Sequence, residues 1–388
     1  MEPGRDQRPL HVALMLERYA PTRGGLERYA EAWAGWLLRR GHRVSLVTGE
    51  VAEPPAAGLE MQPVRLRGHR LLRRAAQLEA AGRALAPDLL IDFGAGLGGD
   101  LLWPLYGERR VSRRAALAAL PAGERLKRLA SRQYRRRQRD LLRLQARQLA
   151  SGAFVVACSR QVAAALQDRG LTAERLAVVH NAVDPAHFRP ADAAGRQAAR
   201  AALGLPADRP LFLQVAQNFD LKNLAASLEA LRRLRRGGHE VHLAVLGHGD
   251  RLPWWRSRIA ALGLGHAVTL LGELADSRPA YAAADALVHP AWYDACSLAA
   301  LEGLASGLPA VLSRRDGACE LVGDGVQAFP VAPDDPGAVA LAMKTLLDPG
   351  LRGAMAAQAR ALAEQLDRER AFLAVEALVR RLASARNR

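Results

Sequence analysis

Residues 285–312, DALVHPAWYDACSLAALEGLASGLPAVL, restrict the fold of this chain more than any other stretch. Asp285 to His289 has the length and apolar content of a short buried strand, and Pro290 stops it. Ala291 to Cys296 follows as a loop. Leu298, Leu301 and Leu304 recur at helical spacing and predict a helix over Ser297 to Ala305. Gly307 stands where a left-handed helix cap belongs, Pro309 blocks continuation, and Ala310 to Leu312 opens the next strand. Strand, loop, helix and strand in that order make the crossover unit of a parallel sheet. Ligands of such sheets bind beyond the carboxyl ends of the strands, beside helix N-termini whose N–H groups attract phosphate. The loop holds one carboxylate, Asp294, and the helix another, Glu302. A carboxylate inside that helix would repel phosphate and suits neutral hydroxyls, such as a ribose diol.

The same alternation runs through the rest of the chain. His11 to Leu16 is an apolar strand, Glu17 to Gly25 a loop, Leu26 to Arg40 an amphipathic helix capped by Gly41, and Val44 to Thr48 a second strand. A helix over Leu71 to Leu85 precedes strand Leu89 to Asp92 and a glycine-rich exit loop, FGAGLGGD, that ends at Asp100. Leu126 to Leu149 reads as one long helix, and Phe154 to Cys158 as a strand. Ser159 is placed to cap a helix over Arg160 to Gly170, and Ala177 to Val179 extends again. After a helix over Ala193 to Leu203, Leu211 to Val215 starts a second series, with further strands at Val241 to Leu246 and Val268 to Leu271. Helices over Pro336 to Leu347, Ala354 to Leu366 and Arg370 to Leu382 complete it. A length of 388 residues suffices for two domains. The fold class is therefore α/β, with two doubly wound Rossmann-like domains.

Composition excludes several classes. Apolar content of 50% and charged content of 24% are globular rather than disordered. No apolar run reaches the length of a membrane span, and the first ten residues, MEPGRDQRPL, lack the apolar core of a secretory leader. Cys158, Cys296 and Cys319 show neither metal spacing nor a disulfide framework, which favours a reducing cytoplasm and a packing role for Cys296. No cluster of carboxylates or histidines stands out as a cation site, so neither a metal nor another cofactor is expected. The formal net charge of +16 is concentrated in residues 109–148, which carry 14 Arg or Lys against Glu124 and Asp140. There Leu126, Leu129, Leu141, Leu142 and Leu144 interleave with arginines, as in a helix lying on an anionic membrane. The same charge could serve nucleic acid, but no nucleic-acid motif accompanies it.

The 285–312 pattern resembles the donor-sugar signature of family 4 glycosyltransferases, in which an acidic residue, seven spacers, Glu and a Gly-Leu-Pro exit recur. The usual first acid is Glu; this chain has Asp294. Asn181, Val183, Asp184, Phe188 and Pro190 are similar to the family's segment at the end of its first domain, with Ala182 for the usual Gly. The resemblance implies the GT-B fold, two Rossmann-like domains facing across a cleft. It implies an acceptor-binding domain over 1–187, a nucleotide-sugar-binding domain over 188–366, and a helix over 367–388 that crosses back to the first. It is strongest to the lipopolysaccharide core glucosyltransferase group.

Site residues follow residue by residue. The family holds the donor diphosphate with an Arg and a Lys in the loop AQNFDLK; Lys222 fits the Lys, while Leu221 and Gln217 stand where the Arg is usual. Only three of the 55 basic residues are Lys, so a Lys at this place is unlikely to arise by composition. Gly24 and Gly25, Gly247 and Gly249, and Gly272 match glycine turns that approach the nucleotide sugar. Ser297 and Leu298 open the phosphate-facing helix, Glu302 is assigned to the ribose and Asp294 to the sugar. Arg314 or Arg315 could supply the missing cation, although a solvated surface pair is the reading that the sequence favours. Asp100 matches an acidic residue that meets the acceptor hydroxyl; its sequence context alone offers a plainer role, an N-cap before Leu101-Leu102.

The activity so implied is retaining transfer of a hexose from a nucleotide-diphosphate sugar, a UDP-sugar favoured, to a glycan, glycolipid or lipopolysaccharide-type acceptor. No metal is needed in it: the leaving phosphate takes the acceptor's proton, while Asp100, Lys222 and Asp294 orient the groups and steady the charge. The expected location is cytoplasmic, peripheral on the inner face of the membrane through 109–148. Two other readings stay open, a GT-B protein that binds nucleotide sugar but is catalytically impaired, and a nucleic-acid-binding protein.

Overall fold

Apolar runs of four to six residues make strands here because each is buried on both faces, which only a parallel sheet covered by helices provides. The structure, a computed structural model, describes residues 8–21 and 24–386. Residues 1–7, on which most of the leader reading rests, and Thr22 and Arg23 of the expected Glu17–Gly25 loop lie outside the described residues. The chain forms two compact units: 1–110 with 126–179 and 372–388, and 111–125 with 180–371.

The first unit is a seven-stranded sheet of β1 (His11–Leu16), β2 (Arg43–Thr48), β3 (Glu60–Pro63), β4 (Leu89–Asp92), β5 (Leu101–Leu102), β6 (Phe154–Ala157) and β7 (Leu176–Val178), in the order β3-β2-β1-β4-β5-β6-β7. Every pairing is parallel. The helices of this part of the chain are α1 (Gly25–Arg39), α2 (Leu71–Ala84), α3 (Arg109–Ala118), α4 (Ala122–Ala130), α5 (Arg132–Ala150) and α6 (Arg160–Gln167). Tyr29, Ala30, Trp33, Trp36 and Leu37 form the buried stripe of α1, and Gly41 at φ +82 turns the chain into β2.

The second sheet holds β8 (Leu211–Val215), β9 (His242–Leu246), β10 (Val268–Gly272), β11 (Ala286–His289), β12 (Ala310–Ser313) and β13 (Ala328–Val331), ordered β10-β9-β8-β11-β12-β13 and again all parallel. Its helices are α7 (Ala193–Ala202), α8 (Leu224–Arg236), α9 (Leu252–Ala261), α10 (Arg278–Ala283), α11 (Leu298–Ala305), α12 (Pro336–Thr345) and α13 (Pro349–Gln365). Phe212, Leu243, Val245, Val288 and Val311 of the strands meet Leu228, Leu231 and Met343 of the helices in one core. The last helix, α14 (Arg368–Arg386), contributes mainly to the first unit. There Phe372 sets its ring edge-on to Trp33 at 5.1 Å, and Glu376 receives Arg40, His42 and Arg380.

In each sheet the strand order reverses once, between β1 and β4 and between β8 and β11. The loops leaving those strands flank the crevice where doubly wound sheets take ligands.

Two expectations from the sequence need correction. The predicted helix over Leu126 to Leu149 is two helices, because the Ser131 hydroxyl accepts from Tyr134 N at 3.2 Å and starts a new first turn. Asp100 does not cap a helix: Leu101-Leu102 is β5, paired to β4 and β6. Neither β3 nor β5 has the apolar length that marks a strand in sequence; β3 is a half-exposed edge and β5 only two residues.

Candidate functional site

Lys222 and Asp294 leave the two strands that flank the second sheet's reversal, and they meet there. Lys222 ends the loop after β8. Its backbone N donates to Asn218 O at 2.9 Å, its carbonyl accepts from Gln214 Nε2 at 2.7 Å, and its ammonium bonds the Asp294 carboxylate. Asn223, in the left-handed conformation at φ 59, locks this loop to its neighbours. Its side chain accepts from Ala226 N and donates to Pro290 O at 3.0 Å and Pro333 O at 2.7 Å, joining the exits of β8, β11 and β13. Leu221, at the position of the missing Arg, gives its carbonyl to Trp292 N at 2.9 Å.

Behind the pair lies a polar cluster that the sequence reading missed. His289 closes β11 and is fully buried; its Nε2 stands 3.4 Å from Asp294 Oδ2 and 3.5 Å from Asp316 Oδ2. Asp316 Oδ1 accepts from Ser297 N at 3.0 Å and Ala318 N at 2.9 Å, so it joins the β12 exit to the start of α11. Burial opposes ionisation of Asp294, but the Lys222 ammonium and His289 hold its carboxyl well below the usual range. Burial, and then the Asp294 charge, pushes Asp316 well above its ordinary value, and burial lowers His289. The Lys222–Asp294 ion pair thus favours the charged carboxylate at Asp294, while burial favours the neutral forms of Asp316 and His289 behind it.

Ligand atoms of His289, Asp294 and Asp316 lie within 4.8 Å of one another, a donor set able to receive a cation. This corrects the reading that no such cluster exists. A divalent ion would have to displace Lys222, whose ammonium already serves Asp294. The sequence did carry a signal: all three residues lie at or just beyond the carboxyl end of adjacent predicted strands.

Ser297 caps α11, its hydroxyl accepting from Ala300 N at 3.2 Å, which leaves the amides of Leu298 and Ala299 without intrahelical acceptors. Glu302, one turn on, is buried and accepts from the Tyr281 hydroxyl at 2.8 Å. The glycines of the neighbouring exits serve close packing. Gly247, at φ +114, lies against Ala216 O, where a Cβ would collide, and its N donates to Gly272 O at 2.7 Å. Gly249 lies against the Phe219 ring, and Gly272 ends β10.

In the first unit the expected ligand loops are occupied by the protein's own acids. Gly24 is the N-cap of α1 and Gly25 its first residue, and the Glu27 carboxylate folds back against Gly24. Burial raises the Glu27 carboxyl. After β4, Asp92 accepts from Gly94, Ala95, Gly96 and Gly98 N at 2.7–2.9 Å, and Glu79 from Leu97 N at 2.7 Å. The amides of this loop are thus taken by side chains outside it, Asp92 at the end of β4 and Glu79 on α2. Asp100 accepts from Arg83 at 2.5 Å, Arg386 at 2.9 Å and Leu90 N at 2.8 Å. Of the two arginines offered as substitute cations, Arg315 pairs with Asp334 at 3.0 Å and Arg314 is exposed.

Residues 23–187 match the family profile described as Glycosyltransferase Family 4, and residues 195–362 the one described as Glycosyl transferases group 1. The D-inositol 3-phosphate glycosyltransferase 2 of Catenulispora acidiphila is 34% identical over 45% of this chain and 43% of its own length. The D-inositol 3-phosphate glycosyltransferase of Xylanimonas cellulosilytica is 32% identical over 58% of this chain and 56% of its own. The chain spans about half the length of the curated relatives it matches. Among solved structures, WaaG, a glycosyltransferase involved in lipopolysaccharide biosynthesis, is similar with a TM-score of 0.75 at 22% identity over 93% of this chain and 99% of that one. Anabaena HepE, solved with UDP and glucose, has a TM-score of 0.70 at 19% identity over 95% and 99% of the two chains. The two profiles and the two reversing sheets lead to one conclusion: the chain belongs to glycosyltransferase family 4 and has the GT-B fold.

Proposed function

We propose that the protein is a retaining hexosyltransferase that takes a nucleotide-diphosphate sugar, a UDP-sugar favoured, and serves a membrane-associated glycan or lipopolysaccharide-type acceptor. The observation that carries this reading is the Lys222–Asp294 pair at the reversal of the second sheet, beside the N-terminus of α11. Phosphate oxygens placed there would meet the Lys222 ammonium and the Leu298 and Ala299 amides. As the bond to the sugar breaks, negative charge grows on the leaving phosphate, and these preset donors stabilise it without rearrangement. Glu302, fixed by Tyr281, would accept from the ribose hydroxyls, and Asp294, fixed by Lys222 and His289, would orient the sugar. In this proposal Asp100 serves the scaffold, since three donors already hold it.

The test is turnover of a panel of UDP- and GDP-sugars, with transfer and slow hydrolysis both measured. Release of nucleotide from at least one donor supports the reading, and none from any donor contradicts it. A second reading, binding without turnover, is favoured by one fact: Lys222 is the only cation of its loop and is already paired with Asp294. Tight donor binding with no transfer or hydrolysis would select it.

The membrane part of the proposal rests on α4 and the start of α5. None of α4 is buried; Leu126 is 70% exposed and Leu129 38%, among Arg125, Lys127 and Arg128. Leu144 is buried and Leu141 and Leu142 are half-buried, so the apolar part of the face is smaller than the sequence suggested. Among the described residues no helix is long and apolar enough to cross a membrane. Co-sedimentation with liposomes should require anionic lipid and weaken from about 50 to about 500 mM salt. It should vanish when Arg135, Arg136, Arg137 and Arg139 become Gln; equal binding to neutral liposomes contradicts the docking.

A further inference from the structure

The Lys222 loop is fastened to the exit of the adjacent strand, β9, at three points. Phe219 of the loop meets the buried Trp255 edge-on at 6.1 Å, Gly249 lies against the same Phe219 ring, and Asp220 is ion-paired with Arg251. The Arg251 guanidinium also lies 4.3 Å from the centre of the Trp254 ring. Trp254 stands at 86° to Trp255, which anchors it, and is itself 40% exposed at the start of α9.

Two chemistries therefore share one lip at the carboxyl end of the sheet, an oriented guanidinium and a partly exposed indole that carries it on its ring. The Arg251–Asp220 pair helps to fasten the loop, but packing does not account for Trp254, whose 40% exposed indole forgoes burial. As a recognition device the arrangement supplies what the neighbouring loop lacks. Leu221 and Gln217 leave that loop with Lys222 as its one cation. A planar guanidinium binds phosphate oxygens through paired donors, and an indole face stacks on any nucleobase. Asp220 engages Arg251 through Nη2 and fixes the direction of the fork. In the resting molecule Asp220 balances Arg251 as Asp294 balances Lys222, so both cations are held in place before a ligand arrives.

We propose that Arg251 and Trp254 form the nucleoside half of the donor site. Arg251 is the second cation for a nucleoside diphosphate, and Trp254 is the stacking face for its base. This rests on the donor reading above. The cation comes from the exit of β9 rather than from the loop after β8, and a stacking surface makes affinity tolerant of the base unless another group reads its edge.

The experiment titrates UDP and GDP into the full chain, following tryptophan emission and, separately, heat by calorimetry. The nucleotide should quench the emission. Trp254→Phe should lose most of the quench yet keep its affinity within about twofold, because the ring face remains. Trp254→Ala should weaken binding about 5- to 10-fold, Arg251→Gln about tenfold, and Arg251→Lys by less, with a shallower salt dependence in Arg251→Gln. Wild-type affinity in both Trp254→Ala and Arg251→Gln, with binding lost in Lys222→Ala, overturns the lip and leaves the donor reading standing. Absence of calorimetric binding of either nucleotide to the wild-type chain overturns both.

Discussion

The two sheets reverse in the same way and end in opposite chemistry. At the first reversal, acidic side chains turn inward: Asp92 and Glu79 take the amides of the glycine-rich loop, and Glu27 covers the start of α1. At the second, a lysine ends the loop after β8, and a neutral serine caps α11. Topology selects where a doubly wound sheet meets its ligand; the side chains at the loop ends select which charge the ligand carries. Carboxylates that already hold the loop amides leave fewer of them for an anion at the first reversal, whereas Lys222 and the open amides of α11 suit the diphosphate of the proposed donor.

The sharpest way to break this contrast is to remove the cation. Lys222→Ala should lower kcat by about 10²–10³, as expected for one strong transition-state donor. It also leaves Asp294 uncompensated, so its melting temperature should fall. Adding Asp294→Asn should restore the melting temperature by removing the uncompensated charge, while kcat stays low because both residues of the pair serve the donor.

The matching change in the first sheet is Asp92→Ala. It strands the amides of Gly94, Ala95, Gly96 and Gly98, and should cost about 2–3 kcal/mol in urea unfolding, with nucleotide affinity unchanged. Weakened nucleotide binding in a folded Asp92→Ala protein would assign the anion to the wrong sheet.

These two predictions show what the sequence could and could not reveal. Leu89–Asp92 and Leu211–Val215 are strands in the structure over the bounds read from their apolar runs, because burial on both faces requires continuous apolar sequence. The places of Lys222, Asp294, Ser297 and Glu302 at strand exits and on α11 were legible from the apolar runs and the family-like motif around them; their roles toward a donor are proposals. Partnership was not legible. That Asp92 would take the loop's own amides, or that His289 and Asp316 would stand behind Asp294, depends on side-chain directions set by packing between distant segments. The break at Ser131 was hidden for a different reason: arginine and leucine favour helix on both sides of it, and one hydroxyl decides the register.

A smaller effect is expected within the second site. Glu302→Gln keeps the shape but offers a poorer acceptor, so the donor KM should rise by an equivalent of about 1–2 kcal/mol with kcat nearly unchanged. An unchanged affinity for UDP by calorimetry would remove Glu302 from the ribose.

The smallest effect concerns pH. Burial, with Arg209 and Arg235 nearby, lowers the His242 ring to about 4, and it hydrogen-bonds Thr269 at 2.8 Å between β9 and β10. Its ordinary value in an unfolded chain is about 6.5. Between those values the unfolded state binds the extra proton, so stability is full above pH ~6.5 and declines as pH falls toward 4. The slope should be a fraction of the ~1.4 kcal/mol per pH unit that one proton allows. His242→Gln should flatten it, and hydrogen exchange of β9 amides measured across this range would reveal it.

Hydrogen–deuterium exchange with and without UDP and UDP-glucose tests the central contrast most directly, because it reads both sheets in one sample. Nucleotide should protect residues 216–223 and 290–299 and leave residues 93–100 unchanged. Protection of 93–100 with none at 216–223 or 290–299 would contradict it.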